Sequence, residues 1–392
     1  MIHHAYRPPA GFGGIPPGVF KASTVRFENV AALRAQDWLD KGSYTYGLHG
    51  TPTSFTLEAR IATLEGGAHA LLTPSGLAAA ALVNQALLSA GDAVLLPSNV
   101  YFPNRNLAEH ELARWGIAHR IYDPMRPESL RQALGSDVAL VWIEAPGSVT
   151  LEFPDLRALV RTVRSGAPRA TIAMDNTWGA GLAYDAFDLG PAGEPALGAD
   201  LTIHALTKYA SGGGDVLMGS VVTRSKALHD RLSLTHSRLG LGVGANDVEF
   251  VLRALPSLPL RYASQDAAAR RVARWALGRG EFVRVLHPPT AGSPGHEHWA
   301  ALCRGAAGIV TVEFDPAGSP GRAERFVDAL RLFGIGWSWG GPMSLAVPYL
   351  PRTLRPEAGR DRGALVRLCI GLEAVDDLIA DLEDGLRRSA EP

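Results

Sequence analysis

Apolar and polar positions change their spacing several times along the chain, and each change marks an element. From Ser54 the segment SFTLEARIATLEGG brings Phe55, Leu57, Ile61 and Leu64 near one face and stops on Gly66 and Gly67, which predicts a helix with a glycine terminus. Short apolar runs at 93–97, 138–143, 171–174, 201–206 and 219–223 have the length of buried strands, with helical stretches at 76–90, 104–115 and 155–165 among them. Buried strands alternating with helices predict an α/β fold with a mainly parallel sheet covered on both faces.

The pattern shifts at ALPSLPLRYASQ (254–265), where prolines precede a long Ala/Arg helix. Beyond it, GIVTVEFD (308–315) and ALVRLCIGLE (364–373) read as strands and AVDDLIADLEDGLRRS (374–389) as a closing helix. The expected division is an arm over 1–50, a large domain over 51–254 and a small C-terminal α/β domain over 255–392. The arm is rich in Gly, Pro and aromatics without periodicity; lacking a core, it must lie on the body of the protein or on another subunit. No internal repeat points to a solenoid.

Composition narrows the class. The 392 residues carry 38 basic and 39 acidic side chains, a net charge of -1, which recommends neither nucleic acid nor an anionic membrane as partner. No apolar run approaches the roughly 18 residues of a membrane span, and MIHHAYRPPAGFGG lacks the apolar stretch of a signal peptide. Two cysteines, Cys303 and Cys369, make no disulfide scaffold, so a soluble cytoplasmic protein is expected. Lysine occurs only at positions 21, 41, 208 and 226, so chemistry that needs a nucleophilic amine has four candidates.

Ligands of open α/β sheets bind beyond the carboxyl ends of the strands. Four features meet that condition: Ser75-Gly76-Leu77, opening a helix whose free amides suit an anion; Tyr101, an aromatic plane after AVLLPSNV; Asp175 after TIAM; and Lys208, between LTIHALT and a Gly-rich loop. Read singly, Ser75 is also a plain helix cap, Asp175-Asn176 a solvated turn and Tyr101 a core or interface residue. Together they supply what pyridoxal phosphate needs: a lysine, a carboxylate for the pyridine nitrogen, an anion cradle and a stacking plate. GFGG (11–14) follows no strand and makes no dinucleotide loop, and His296 and His298 read as a polar surface loop and not as a metal site.

The segments YGLHGTPT (46–53), TPSGLAAA (73–80), DNTWGAG (175–181), ADLTIHALTKYASGGGD (199–215) and WSWGGPMSL (337–345) resemble the Cys/Met-metabolism family of pyridoxal-phosphate enzymes, in particular its bacterial cystathionine β-lyases, from about Tyr44 to Leu378. The resemblance implies the type I, aspartate aminotransferase-like fold and α,β-elimination from a small sulfur amino acid, in a homotetramer built as a dimer of dimers. It implies that Lys208 carries the cofactor as a Schiff base and acts as the base, that Tyr101 stacks on the ring and that Asp175 pairs with its nitrogen. Ser75, Gly76, Leu77 and Thr207 would hold the phosphate, Arg367 the substrate carboxylate, with Ser338 and Trp339 at the substrate and Tyr46 entering from a neighbouring subunit. Three positions depart from the family pattern: Leu48 replaces a phosphate arginine, Ala205 a serine and Met343 a glutamate, with His49 a candidate to compensate. A γ-lyase or γ-synthase of the same family, or a binding protein with little turnover, are the alternatives; the SWGG segment looks more like the β-lyases.

Overall fold

A computed structural model describes residues 10–11, 13–190, 197–318, 321–350, 354 and 363–390. The first nine residues of the arm, and Phe12 of the GFGG segment, lie outside these.

The helix expected from Ser54 runs over Pro52–Glu65 (α1). Thr51 and Ser54 close a reciprocal capping box at its start, Pro52 occupies the first turn, and Gly66 ends it in the left-handed region at φ 78°. Next come β1 (His69–Thr73) and α2 (Gly76–Leu87), capped by the Ser75 hydroxyl, which accepts from the Ala78 amide at 3.0 Å. Strands β2 (Ala93–Pro97), β3 (Ala118–Tyr122), β4 (Val138–Glu144), β5 (Thr171–Asp175), β6 (Leu201–His204) and β7 (Gly219–Thr223) complete a seven-stranded sheet of order β1-β7-β6-β5-β4-β2-β3. Only β7 runs against its neighbours, so β1 through β6 all point their carboxyl ends to one edge. The helical stretch expected over 104–115 is helix Phe102–Leu107 continued by a π-helical turn, Ala108–Leu112.

The second sheet has five strands, β8 (Phe282–Leu286), β9 (Ile309–Phe314), β10 (Gly334–Ile335), β11 (Leu345–Tyr349) and β12 (Leu365–Cys369), in the order β10-β11-β12-β9-β8. Its own core includes Val310, Val312, Phe326, Val366 and Leu382. The long helix Leu258–Leu277 (α3) spans both bodies: Leu258 and Tyr262 join the core of the large sheet, whereas Val272 and Ala276 join that of the small one. Helix Val375–Arg388 (α4) closes the small sheet, with acidic residues in its first turn and arginines in its last, as its dipole favours.

None of the described residues from 10 to 50 is fully buried. The arm holds to the body by a few polar contacts: Lys41 Nζ meets Glu58 Oε2 at 2.5 Å and the Ala70 carbonyl at 2.6 Å, and the Phe20 amide donates to Thr53 Oγ1 at 2.7 Å. Among the described residues no helix is long and apolar enough to cross a membrane.

Candidate active site

The common edge of the parallel strands sets the order of the site. Going across β6, β5, β4 and β2, the strand ends present Lys208, Asp175, Glu144 and Tyr101 in turn, and α2 starts on the same edge after β1. Ala205 leaves the β6 ladder and donates its amide to Thr177 Oγ1 at 2.9 Å, which joins the two strand ends that carry Lys208 and Asp175. A Cβ built on Gly76 would stand 2.6 Å from the Cβ of Ala205, so glycine is what lets α2 approach this closely.

Lys208 Nζ donates to Ser338 Oγ at 3.1 Å and lies 5.5 Å from the centre of the Trp339 ring. Burial, then the charge of Arg367, lower the Lys208 amine to about 8, so about a tenth of it is neutral at pH 7, far more than for an ordinary lysine. Arg367, on β12, is 8% exposed; its guanidinium lies 5.5 Å over the Tyr349 ring and its Nε is buried without a hydrogen-bond partner. Thr311, its register partner on β9, donates to the Val149 carbonyl at 2.6 Å and ties this strand to the loop after β4. Asp175 Oδ1 accepts the Thr177 amide at 2.9 Å; burial raises its carboxyl, against the hydrogen bonds of Thr177 and the charge of His204. The Tyr101 phenol is raised by burial, then by Asp175 and Glu144, and lowered by Arg367.

The structure thus brings Lys208, Asp175, Tyr101, Arg367, Ser338 and Trp339 into one electrostatic group, with Ser75, Gly76 and Leu77 on the same edge. The Thr207 hydroxyl meets both the carbonyl and the amide of Met218 at 3.1 Å, so its proton has a protein partner here. Tyr46 stands apart. Its described contacts are a bridge to Thr24, an edge contact with His49 and a hydrogen bond from the His49 amide to its carbonyl at 2.9 Å, and no described contact joins it to Lys208 of its own chain. Leu48 and His49 line a separate cleft of about 400 Å³ with Lys21, Glu58, His236 and Asp247. Both His49 ring nitrogens are engaged, with Thr45 Oγ1 at 2.8 Å and Ser237 Oγ at 3.3 Å, and burial disfavours its cation. Met343 is exposed, while Glu373 accepts from the Ser344 amide and hydroxyl. His296 and His298 lie on a short helix, His296–Leu302, and not in a loop; His296 Nδ1 meets the Pro288 carbonyl at 2.8 Å.

Two groups escaped the sequence reading. Glu144 ends the run VWI, so the rule that singled out Asp175 points to it equally. Glu65 has no such signal: fully enclosed at the end of α1, its side chain accepts from Asn176 Nδ2 at 2.7 Å and Thr202 Oγ1 at 3.3 Å, and meets His204 Nδ1 at 2.9 Å, fastening β5 to β6 beneath the site.

A sequence model of the Cys/Met metabolism PLP-dependent enzymes matches residues 1–387. The chain belongs to that family. It is 38% identical over 392 residues to the cystathionine beta-lyase of Bordetella avium, covering 98% of this chain and 95% of that one. Its identity to the cystathionine beta-lyase of Escherichia coli K12 is 33% over 381 residues, 96% and 94% of the two chains. The solved structure of cystathionine gamma synthase from Xanthomonas oryzae pv. oryzae, in complex with aminoacrylate and cysteine, superimposes with a TM-score of 0.87 at 30% identity, covering 97% of this chain and 95% of that one. The cofactor of this Cys/Met metabolism enzyme is pyridoxal 5'-phosphate. The site fits that group: a lysine of lowered basicity, a carboxylate in no described ion pair, two helix-start amides at Gly76 and Leu77 that meet no described protein acceptor, and a buried guanidinium nitrogen with no partner.

Proposed function

We propose that the chain is a pyridoxal-phosphate-dependent carbon–sulfur β-lyase that converts cystathionine, or a related thioether or disulfide amino acid, and water into a thiol, pyruvate and ammonia. The observation that carries the proposal is Lys208 itself: a lysine at a strand end, lowered to about 8 and bonded to Ser338, beside Trp339 and within the field of Arg367. In this reading the Lys208 amine and Asp175 hold the cofactor, the Gly76 and Leu77 amides with Ser75 and Thr207 take its phosphate, and Tyr101 covers its ring. The bound cofactor supplies an electron sink for the pair left when a proton leaves the substrate Cα. Arg367 orients the substrate through its α-carboxylate. Lys208 Nζ, uncharged, takes the Cα proton, and the β-sulfur departs as thiolate. Ser338 keeps the amine in place between these steps and Trp339 borders the thioether.

The same proposal takes residues 1–50 as an arm that delivers Tyr46 to a neighbouring subunit, 51–254 as the cofactor domain and 255–392 as the small domain. It places the enzyme in the cytoplasm as a homotetramer; the free thiols of Cys303 and Cys369 support a reducing compartment, and the exposed apolar side chains of the arm, Ile15, Phe20 and Tyr46 among them, support cover by a second subunit.

The likeness to a γ-synthase structure keeps a γ-lyase or γ-synthase as the second reading. Incubation with a panel of thioether amino acids separates the possibilities: pyruvate from cystathionine marks the β-lyase and 2-oxobutyrate a γ-lyase. Absence of any keto acid across the panel would leave a γ-synthase or the binding protein.

A further inference from the structure

Glu144 and Asp175 are the last residues of β4 and β5 and face each other as partners in the parallel register. Trp142 and Ala173, two positions earlier on each strand, belong to the same core, so by the alternation of a strand the two carboxyl groups project from one face of the sheet. Neighbouring strands stand only about 4.8 Å apart, and two carboxylates at that spacing repel each other unless a cation or a proton intervenes. No described ion pair reaches Glu144. Its Oε2 instead accepts the main-chain N–H of Tyr101 at 2.6 Å. The titratable groups that face it are Asp175 across the register, Glu152 from the following loop and the phenols of Tyr101, Tyr122 and Tyr184, none of them a cation.

The two carboxyls differ in what opposes their protonation. Asp175 is disfavoured as an anion by burial and by Glu65, but the Thr177 hydrogen bonds and the neighbouring His204 stand on the side of its charged form. Burial first, and then Asp175, push Glu144 well above the ordinary carboxylate range, and only the Tyr101 amide pulls the other way.

We propose that Glu144 and Asp175 form a carboxyl–carboxylate pair in which the proton stays on Glu144, so that the site keeps one negative charge, on Asp175, while Glu144 Oε2 fixes the backbone of Tyr101. This rests on the proposed function for the role of Asp175 and Tyr101. Glu144 is a positioning residue: it touches neither the reacting atoms nor the cofactor and acts through the stacking residue and through the charge left to its neighbour.

Infrared difference spectra between cofactor-free wild type and Glu144→Gln at neutral pH test the proton directly. The substitution should remove the carbonyl stretch of one protonated carboxyl; loss of carboxylate bands alone would overturn the proposal. Titration with pyridoxal phosphate, followed by its visible absorption, tests the positioning. Glu144→Ala should weaken binding about tenfold, and Glu144→Gln, neutral and still able to accept from Tyr101, should recover most of it. A pH profile of binding displaced in Glu144→Gln would mean that a charge had been removed, and would overturn the assignment. The infrared result is independent of the cofactor, so wild type that failed to take up pyridoxal phosphate would count against the proposed function and not against the pair.

Discussion

Arg367 has leverage because it is enclosed. The residue is 8% exposed, its guanidinium lies over Tyr349 and its Nε has no partner, an arrangement suited to an anionic, planar group such as a carboxylate. Replacing it by alanine should cost about 2–5 kcal/mol in kcat/KM for any α-amino acid substrate, while the visible band of bound cofactor survives. Unchanged steady-state kinetics would remove Arg367 from the substrate site. At this scale much of the site was legible. Lysine scarcity isolated Lys208, and strand-end position isolated Asp175 and Tyr101 without any fold in view. Glu144 was equally legible by position, but Asp175 already met the need for a carboxylate at the site, and a second one acquires a role only through its register partner. Glu65 was not legible at all: it is 111 residues from Asn176 and 139 from His204, and only packing brings them together.

Elements are set by burial as much as by propensity. Strands β2, β4, β5 and β7 were visible because they lie inside the sheet, where both faces are covered and the sequence becomes a short, mostly apolar run. β3 is an edge strand, AHRIY, interrupted by His119 and Arg120, and β11 carries Pro348 within LAVPY, which argues against a strand interior. The start of α2 is the element on which the site depends most, because its first amides must reach past β6. Gly76→Ala would place a methyl 2.6 Å from the Ala205 Cβ, a contact that neither backbone can relieve by turning a side chain. We expect a loss of about 1–3 kcal/mol of stability in denaturant unfolding and weaker cofactor binding, both largely restored in the double variant Gly76→Ala/Ala205→Gly. If the second change failed to rescue the first, the close approach of α2 to β6 would not be what glycine is needed for.

For the whole molecule the open question is where the arm goes. Ile15 is 97% exposed, Phe20, Tyr44 and Tyr46 are more than 40% exposed, and no residue from 13 to 50 is fully buried, which is the kind of surface a second subunit would cover. Within its own chain the arm stays away from the site: Tyr46 has no described contact with Lys208 of its own protomer, and Leu48 and His49 line a different cleft. An arm that completes the site of a neighbour makes a specific prediction about mixtures. Lys208→Ala and Tyr46→Ala should each be nearly inactive alone, because every site lacks one member. In a symmetric dimer with crossed arms, a mixed pair places both defects in one site and leaves the other intact. Unfolding the two variants together in equal amounts and refolding them should therefore return about a quarter of wild-type activity, since half of the dimers are mixed and each carries one native site of two. If Tyr46 served its own chain, every site in the mixture would still hold one defect, and activity after refolding would stay at the level of the separate variants.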